Sequence, residues 1–263
     1  MECTVLASGS SGNCMYIRSG ESALILDAGL SKKEIITRLS ASGKDPGIVD
    51  AILLTHEHTD HVRGAEALAR ELNLPLTGTG GTLTAFRSTR QAIKKQAPQN
   101  PCRYNTSFTA GEFVVTPFAV SHDAVEPCGY SIRCGDLCLS IMTDTGIVTP
   151  HMMEYLSASD GIVLESNHCP EMLAHGPYPE YLKRRIRGKT GHLSNTMAAD
   201  CIRDLKGSIG TVILSHLSEI NNTPKRAFAS SQEALGLDMS YIDLRVAAPG
   251  IGCSCLSKTI KIG

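Results

Sequence analysis

Six consecutive residues, His56-Glu57-His58-Thr59-Asp60-His61, place three imidazoles and the Asp60 carboxylate directly after the apolar run AILLT (51–55). Imidazole nitrogens and carboxylate oxygens are ligands for divalent metals. Residues two apart in an extended segment point the same way, so His56 and His58 can grip one ion. Asp60 and His61 fall on the turn into the next helix and can face a second. A polar loop with internally bonded histidines is the alternative, and the density of donors in HEHTDH argues against it.

Charge is concentrated a second time at LKRRIRGKTG (182–191), where Lys183, Arg184, Arg185, Arg187 and Lys189 set five cations within seven residues just before His192. A run of this kind either binds phosphates or solvates a helix face. The turn GSSGN (9–13) offers backbone N–H groups and the side chains of Ser10, Ser11 and Asn13 to a phosphate.

These groups need a scaffold, and the flanking patterns predict one. CTVLA, CMYIRS and ALILDAG alternate with Gly/Ser turns and read as strands. Ser31-Lys32-Lys33-Glu34 has capping-box spacing ahead of Ile35, Ile36 and Leu39. AILLT is a strand, VRGAEALARELN (62–73) a periodic helix, and the Pro/Asn-rich stretch 98–106 a loop or a crossover. EFVVTPFAV, EPCGYSIRC and LCLSIMTD predict an antiparallel set, with Gly135-Asp136 as a two-residue hairpin turn. A short helix near 150–157, the strand GIVLE, basic helical stretches to about 205, the strand TVILS and a helix from Pro224 complete the chain. No sequence repeat and no low-complexity linker is visible, so a single αβ domain over 1–263, with two sheets and helices outside, is expected.

Composition narrows the function classes. The 263 residues carry 25 Lys+Arg against 26 Asp+Glu, for a net charge of -1, so any hold on nucleic acid must be a local patch. No apolar run approaches the roughly 18–20 residues of a membrane span, and the N-terminus lacks the pattern of a signal peptide. The ten scattered cysteines contain no Cys-x-x-Cys and read as buried reduced thiols of a cytoplasmic protein, with Cys253-x-Cys255 the one pair that stands apart.

HEHTDH after an apolar strand, with Asp27 in the upstream LDAG turn, resembles the metallo-β-lactamase fold superfamily. The remaining motifs appear in order: His122 after FVVTPFAVS, Asp144 ending SIMTD, and His216 ending VILSH. The resemblance implies an αββα sandwich of two mixed sheets packed face to face. It also implies two divalent metal ions (Zn, Mn or Fe), one held by His56, His58 and His122 and the other by Asp60, His61 and His216. Asp144 and a hydroxide would bridge them, with Asp27 bonded to the ligand loop from behind. His58 in place of a glutamate disfavours the diiron oxygen-reducing branch, and Asp144 where several β-lactamases carry Cys favours a symmetric dinuclear hydrolase. Two metals about 3.5–4 Å apart suit in-line displacement at phosphorus.

A finer resemblance concerns Glu165 in VLESNH and His192 in GHLSN, which are similar to the acidic and histidine motifs of the transfer-RNA 3′-processing branch. There such a pair delivers a proton near the leaving group. LASGSSGN, LDAGLS, LESNH, YPEYLKRRIRGKTGHLSN and LSHLSEINN are similar, end to end, to the YycJ/WalJ-like subgroup, regarded as DNA exonucleases. The implied function is a dinuclear-metal phosphodiesterase, a 5′-3′ exonuclease acting on DNA rather than RNA, with Asp60, His192 and Glu165 in the catalytic machinery. The alternatives are a small-molecule metallo-hydrolase of cyclic phosphodiesters, thioesters or lactones, and a noncatalytic nucleic-acid-binding or regulatory protein. The oligomeric state stays open, a homodimer included.

Overall fold

The computed structural model describes residues 1–90, 96–236, 241–248 and 258–261. Its first strands follow the sequence pattern closely: β1 (Glu2–Ala7), β2 (Cys14–Ser19) and β3 (Ser22–Leu26) form an antiparallel meander. The chain then crosses over through α1 (Lys32–Ala41), where the Ser31 side chain accepts from Glu34 N. It returns as β4 (Val49–Leu53), parallel to β3. Two further crossovers add β5 (Leu76–Thr79) and β6 (Gln99–Cys102), again parallel, by way of α2 (Thr59–Val62), α3 (Ala65–Leu72) and α4 (Gly80–Ser88).

The second sheet repeats this plan. β7 (Phe108–Ala110), β8 (Phe113–Ala119), β9 (Cys128–Cys134) and β10 (Leu137–Met142) form an antiparallel meander. Parallel additions follow: β11 (Gly161–Glu165), β12 (Thr211–Ser215) and β13 (Asp243–Val246). The crossovers carry α5 (Pro150–Ser157), α6 (Pro170–His175), α7 (Glu180–Arg187), α8 (Asn195–Asp204) and α9 (Pro224–Leu235). A last strand, β14 (Lys258–Lys261), pairs with β1. Each sheet has seven strands among the described residues, and each turns from antiparallel to parallel at the strand that closes its meander.

Both sheets are apolar on both faces, which explains why AILLT and TVILS read as unbroken runs rather than alternations. On β4, Ala51 and Leu53 point to the interior between the sheets, with Val5, Ile17, Leu24, Phe113, Tyr130, Ile141 and Val163. Ile52 and Leu54 point outward to Ile35, Leu39, Leu68 and Phe86 of the helices. Ile162, Leu164, Val212 and Leu214 meet Met152, Leu156, Ala198, Ile202 and Leu235 in the same way on the opposite side. The result is the expected α/β sandwich: two mixed sheets face to face, helices outside.

Two expectations are corrected. The helix over 62–73 is broken at Gly64, whose N–H donates to the Ala28 carbonyl at 2.8 Å. A Cβ at Gly64 would lie 2.2 Å from the Leu30 carbonyl oxygen, so the chain presses on the turn after β3 too closely to run on as one helix. The Pro/Asn-rich stretch expected as a loop or a crossover contributes β6, an edge strand, where a proline leaves no unmet partner.

Candidate metal centre and active site

The site is assembled where strands end. Asp27 follows β3, Asp144 follows β10 and His216 follows β12, and all three are left-handed, with φ of 57°, 56° and 55°. Non-glycine residues rarely adopt this conformation, which costs on the order of 1–3 kcal/mol and persists only where the surroundings over-determine it. Asp27 N donates to Leu53 O at 2.8 Å, and His216 N donates to Ser8 Oγ at 2.7 Å. The bend turns each side chain from the sheet edge toward one cluster.

HEHTDH is pinned to the N-terminal turns by backbone bonds: Asn13 N to Asp60 O at 2.8 Å, and Ala28 N to His61 O at 2.7 Å. Gly29 N donates to Asn13 O at 2.8 Å, and a Cβ on Gly29 would stand 1.6 Å from the Asp60 carbonyl oxygen. No residue with a side chain fits there.

Four sets of donor atoms result among the described residues, each within 4.8 Å: His56, His58 and His122; Asp60, His61 and His216; His56, His61 and Asp144; and Asp144, Glu165, His192 and His216. His58 Nδ1 is 3.3 Å from His122 Nε2, and His61 Nε2 is 3.3 Å from Asp144 Oδ2. The other Asp144 oxygen, Oδ1, is 3.4 Å from His216 Nε2. The rings are oriented from behind. Thr55 Oγ1 meets His56 Nδ1 at 3.0 Å, and Asp27 Oδ2 lies 2.7 Å from His61 Nδ1, so the Nε2 atoms face inward. Asp27 also accepts from Thr55 N at 2.9 Å.

His56 Nε2, His216 Nε2 and Asp144 Oδ2 are buried without a hydrogen-bond partner. Buried polar atoms of this kind are costly unless a cation or water meets them. The donor set, imidazole and carboxylate without thiolate, fits a divalent ion such as Zn, Mn or Fe. Charge agrees with this. Burial, aided by neighbouring imidazoles, holds His56 well below its ordinary pKa. At His216 burial opposes protonation, yet Asp144, Asp60 and Glu165 outweigh it and raise the pKa to about 10. The carboxylate field that draws a proton to His216 would equally draw a divalent cation.

Beside the cluster lies a second device. Glu165, fully buried at the end of β11, sets Oε1 2.7 Å from His192 Nδ1 and 3.0 Å from His216 Nδ1. Oε2 accepts from Thr145 N at 2.9 Å and Leu193 N at 3.3 Å. Burial alone would raise the Glu165 pKa, but His192 and His216 hold it well below the usual carboxylate range. Burial would lower that of His192, and the Glu165 carboxylate raises it instead. The His192 ring packs between His122 and His216, at centroid distances of 5.1 and 5.3 Å. The contact of Glu165 with His216 was not legible in the sequence.

The expected substrate-contacting residues separate. Lys183 is buried, and its Nζ is engaged by Ala174 O at 2.8 Å and Glu180 Oε1 at 3.3 Å, so it ties α7 to α6 instead of facing a substrate. Asn13 is buried too; its amide accepts from Gly9 N and meets Asp60 Oδ2 and His61 Nε2, which makes it a brace for the ligand loop. Ser10 is exposed, Ser11 Oγ donates to Glu219 Oε1 at 2.7 Å, and Arg187 pairs with Glu180. Arg185 holds Asp123, next to His122, through Nε at 2.7 Å and Nη2 at 2.6 Å. Arg184 and Lys189 are exposed and make no ion pair among the described residues.

The remaining histidines bond locally, His151 to Asn105 and His175 to Glu171, while His168 is buried near Glu165 with its pKa lowered to about 4 by burial. Among the described residues eight cysteines are free, and six of these are buried. Cys253 and Cys255 lie outside the described residues. No helix among the described residues is long and apolar enough to cross a membrane.

With this geometry established, comparison with known proteins is informative. Residues 23–217 match the model of the Beta-lactamase superfamily domain. Exodeoxyribonuclease WalJ of Streptococcus pneumoniae is 36% identical over 249 residues, covering 91% of this chain and 93% of that one. Exodeoxyribonuclease YycJ of Bacillus anthracis is 36% identical over 239 residues, covering 88% of each. Among solved structures, the metallo-beta-lactamase fold protein YhfI of Bacillus subtilis superposes with a TM-score of 0.75 at 16% identity, covering 99% of both chains.

Proposed function

The chain belongs to the beta-lactamase superfamily and, within it, to the family of WalJ and YycJ; on that premise we propose that it is a metal-dependent exonuclease that hydrolyses DNA in the 5′ to 3′ direction. His56, His58 and His122 would hold one divalent ion and Asp60, His61 and His216 another, with Asp144 within reach of both sets. Such ions, Zn, Mn or Fe, would supply charge neutralisation at the phosphoryl oxygens and acidification of water.

The residues of the chain supply the rest. Asp27 and Thr55 fix the ring orientations of His61 and His56. Glu165 holds His192 by Nδ1, which favours the charged imidazole and leaves Nε2 to give its proton to the departing oxygen. An alkoxide leaves poorly without one, and a positioned acid contributes about 10²–10⁴ in rate. The single observation that supports this reading is the pair of buried Glu165 and half-buried His192 beside the donor cluster. It is a proton source that a metal store or a purely binding module has no use for. We extend the proposal to a single domain over 1–263 that works in the cytoplasm.

The test is cleavage of end-labelled single-stranded DNA, double-stranded DNA and RNA by protein reconstituted with Zn, Mn or Fe, with Asp60→Ala as control. DNA digestion that depends on Asp60, with loss of label from the 5′ end first, is expected. No cleavage by protein with bound metal would overturn the assignment.

A further inference from the structure

Helix α7 presents two unlike faces. Lys183 is its buried residue, directed at the Ala174 carbonyl. At about 3.6 residues per turn, Tyr181, Arg184 and Arg185 fall on the side opposite Lys183, with Tyr181 and Arg185 one turn apart and adjacent on the surface. Arg185 is the member of this face fixed to the active site, since both of its bonds go to Asp123, and Asp123 Oδ1 lies 3.3 Å from His122 Nε2. The face thus starts at a candidate metal ligand and leads outward to Tyr181.

Tyr181 is 69% exposed, whereas Tyr178, one turn before it, is half-buried. Val125, two residues beyond Asp123, is 66% exposed. Each side of the Arg185–Asp123 pair therefore carries an exposed, largely apolar side chain, and two exposed cations, Arg184 on the helix and Lys189 just past its end, make no ion pair among the described residues. The loop bearing Lys189 is locked in place: its carbonyl accepts from Ser121 Oγ at 2.8 Å, and a Cβ on Gly146 would stand 2.4 Å from that same oxygen. An exposed ring on the same segment as such cations is the makeup of a single-strand binding surface, where cations follow phosphates and bases stack on the aromatic.

We propose that Tyr181 is a stacking platform for an unpaired nucleobase of the strand being cut, with Arg184 and Lys189 holding the adjoining phosphates. This rests on the nuclease reading above and deepens it: the strand arrives single-stranded, because a base inside a duplex is already stacked on its neighbours. Tyr181 touches no reacting atom and acts by positioning the strand.

The chain contains no tryptophan, so Tyr181→Trp installs a lone indole reporter. In that variant, with Asp60→Ala added to block turnover, oligothymidylate is expected to quench the fluorescence in a saturable way, and a blunt duplex of equal length is not. In the active enzyme, Tyr181→Ala is expected to raise KM for single-stranded DNA about tenfold, with most of its effect in KM rather than kcat, and Tyr181→Phe to restore it. Equal quenching by duplex and single strand, or a wild-type KM in Tyr181→Ala, would overturn the proposal. Saturable quenching by oligothymidylate alongside no DNA cleavage by wild-type protein would sink the nuclease reading and leave the stacking site standing.

Discussion

Glu165 Oε1 stands 2.7 Å from His192 Nδ1, and the carboxylate is fully buried. The same oxygen reaches His216 Nδ1 at 3.0 Å, so one buried charge orients both the proton donor and a member of the metal cluster. Glu165→Gln keeps the shape and removes the charge. It is expected to lower kcat by about 10²–10⁴ while the protein stays folded by circular dichroism. Adding His192→Ala should cost little more, because the two residues act as a unit. Fully additive losses would show that they do not.

Asp27 fixes His61 by its Nδ1, which turns Nε2 toward the donor cluster. Asp27→Asn is expected to weaken metal affinity about 10–100-fold, the usual cost of losing a partner behind a ligand. Chelator competition monitored by metal analysis measures this directly, and an unchanged affinity would remove Asp27 from the metal site.

Gly29→Ala forces a methyl group against the Asp60 carbonyl oxygen, and Asn13 N is also within 2.6 Å of the added Cβ. Overpacking of this kind costs about 1–3 kcal/mol or more. The expected outcome is a lowered Tm together with reduced metal content, since the strained segment carries Asp60. A Tm equal to wild type would mean that the turn relaxes freely.

Removing metal by chelation is expected to abolish DNA hydrolysis, because the chain itself offers only a proton source and donors. Restoring Zn, Mn or Fe should return activity and raise Tm, by about 2.7 kcal/mol of stabilisation at a hundredfold excess over Kd for one site. The check is a thermal melt run alongside the cleavage assay on the same samples.

Cations within seven residues of one another have different parts to play, and salt separates them. On single strands, each phosphate that a cation neutralises steepens the dependence of log Kobs on log salt by about 0.7. Arg184→Ala should remove one such increment. Lys183→Ala should keep the slope and lower stability by about 1–3 kcal/mol, because it leaves the Ala174 carbonyl without its donor. A flattened salt slope for Lys183→Ala would contradict its burial.

The sequence alone determined the parts that depend on local chemistry. HEHTDH, with its donors two residues apart at the end of an apolar strand, announces metal binding, because imidazoles at that density have few other uses. Strand positions were legible wherever four or more apolar residues met a Gly/Ser turn, and Ser31 marked its helix by its cap. The edge strand β6 was not, since Gln99-Asn100-Pro101 carries no strand propensity and pairs only because β5 offers an open edge.

What tertiary structure decided is everything that depends on distance across the chain. Asp27 and Asp144 occupy matching places, each left-handed and just beyond the strand that closes a meander, although no sequence repeat joins the two halves. Both are needed there because a sheet edge presents its side chains outward, and only a bend against the usual φ brings a carboxylate back over the site. The double contact of Glu165 and the opposite fates of Lys183 and Arg185 belong to the same category. Lys183 and Arg185 are alike in charge and two positions apart, and the orientation of α7 on the sandwich sends one inward to Ala174 and the other to Asp123. Residue type sets what a side chain is able to do, and packing sets what it meets.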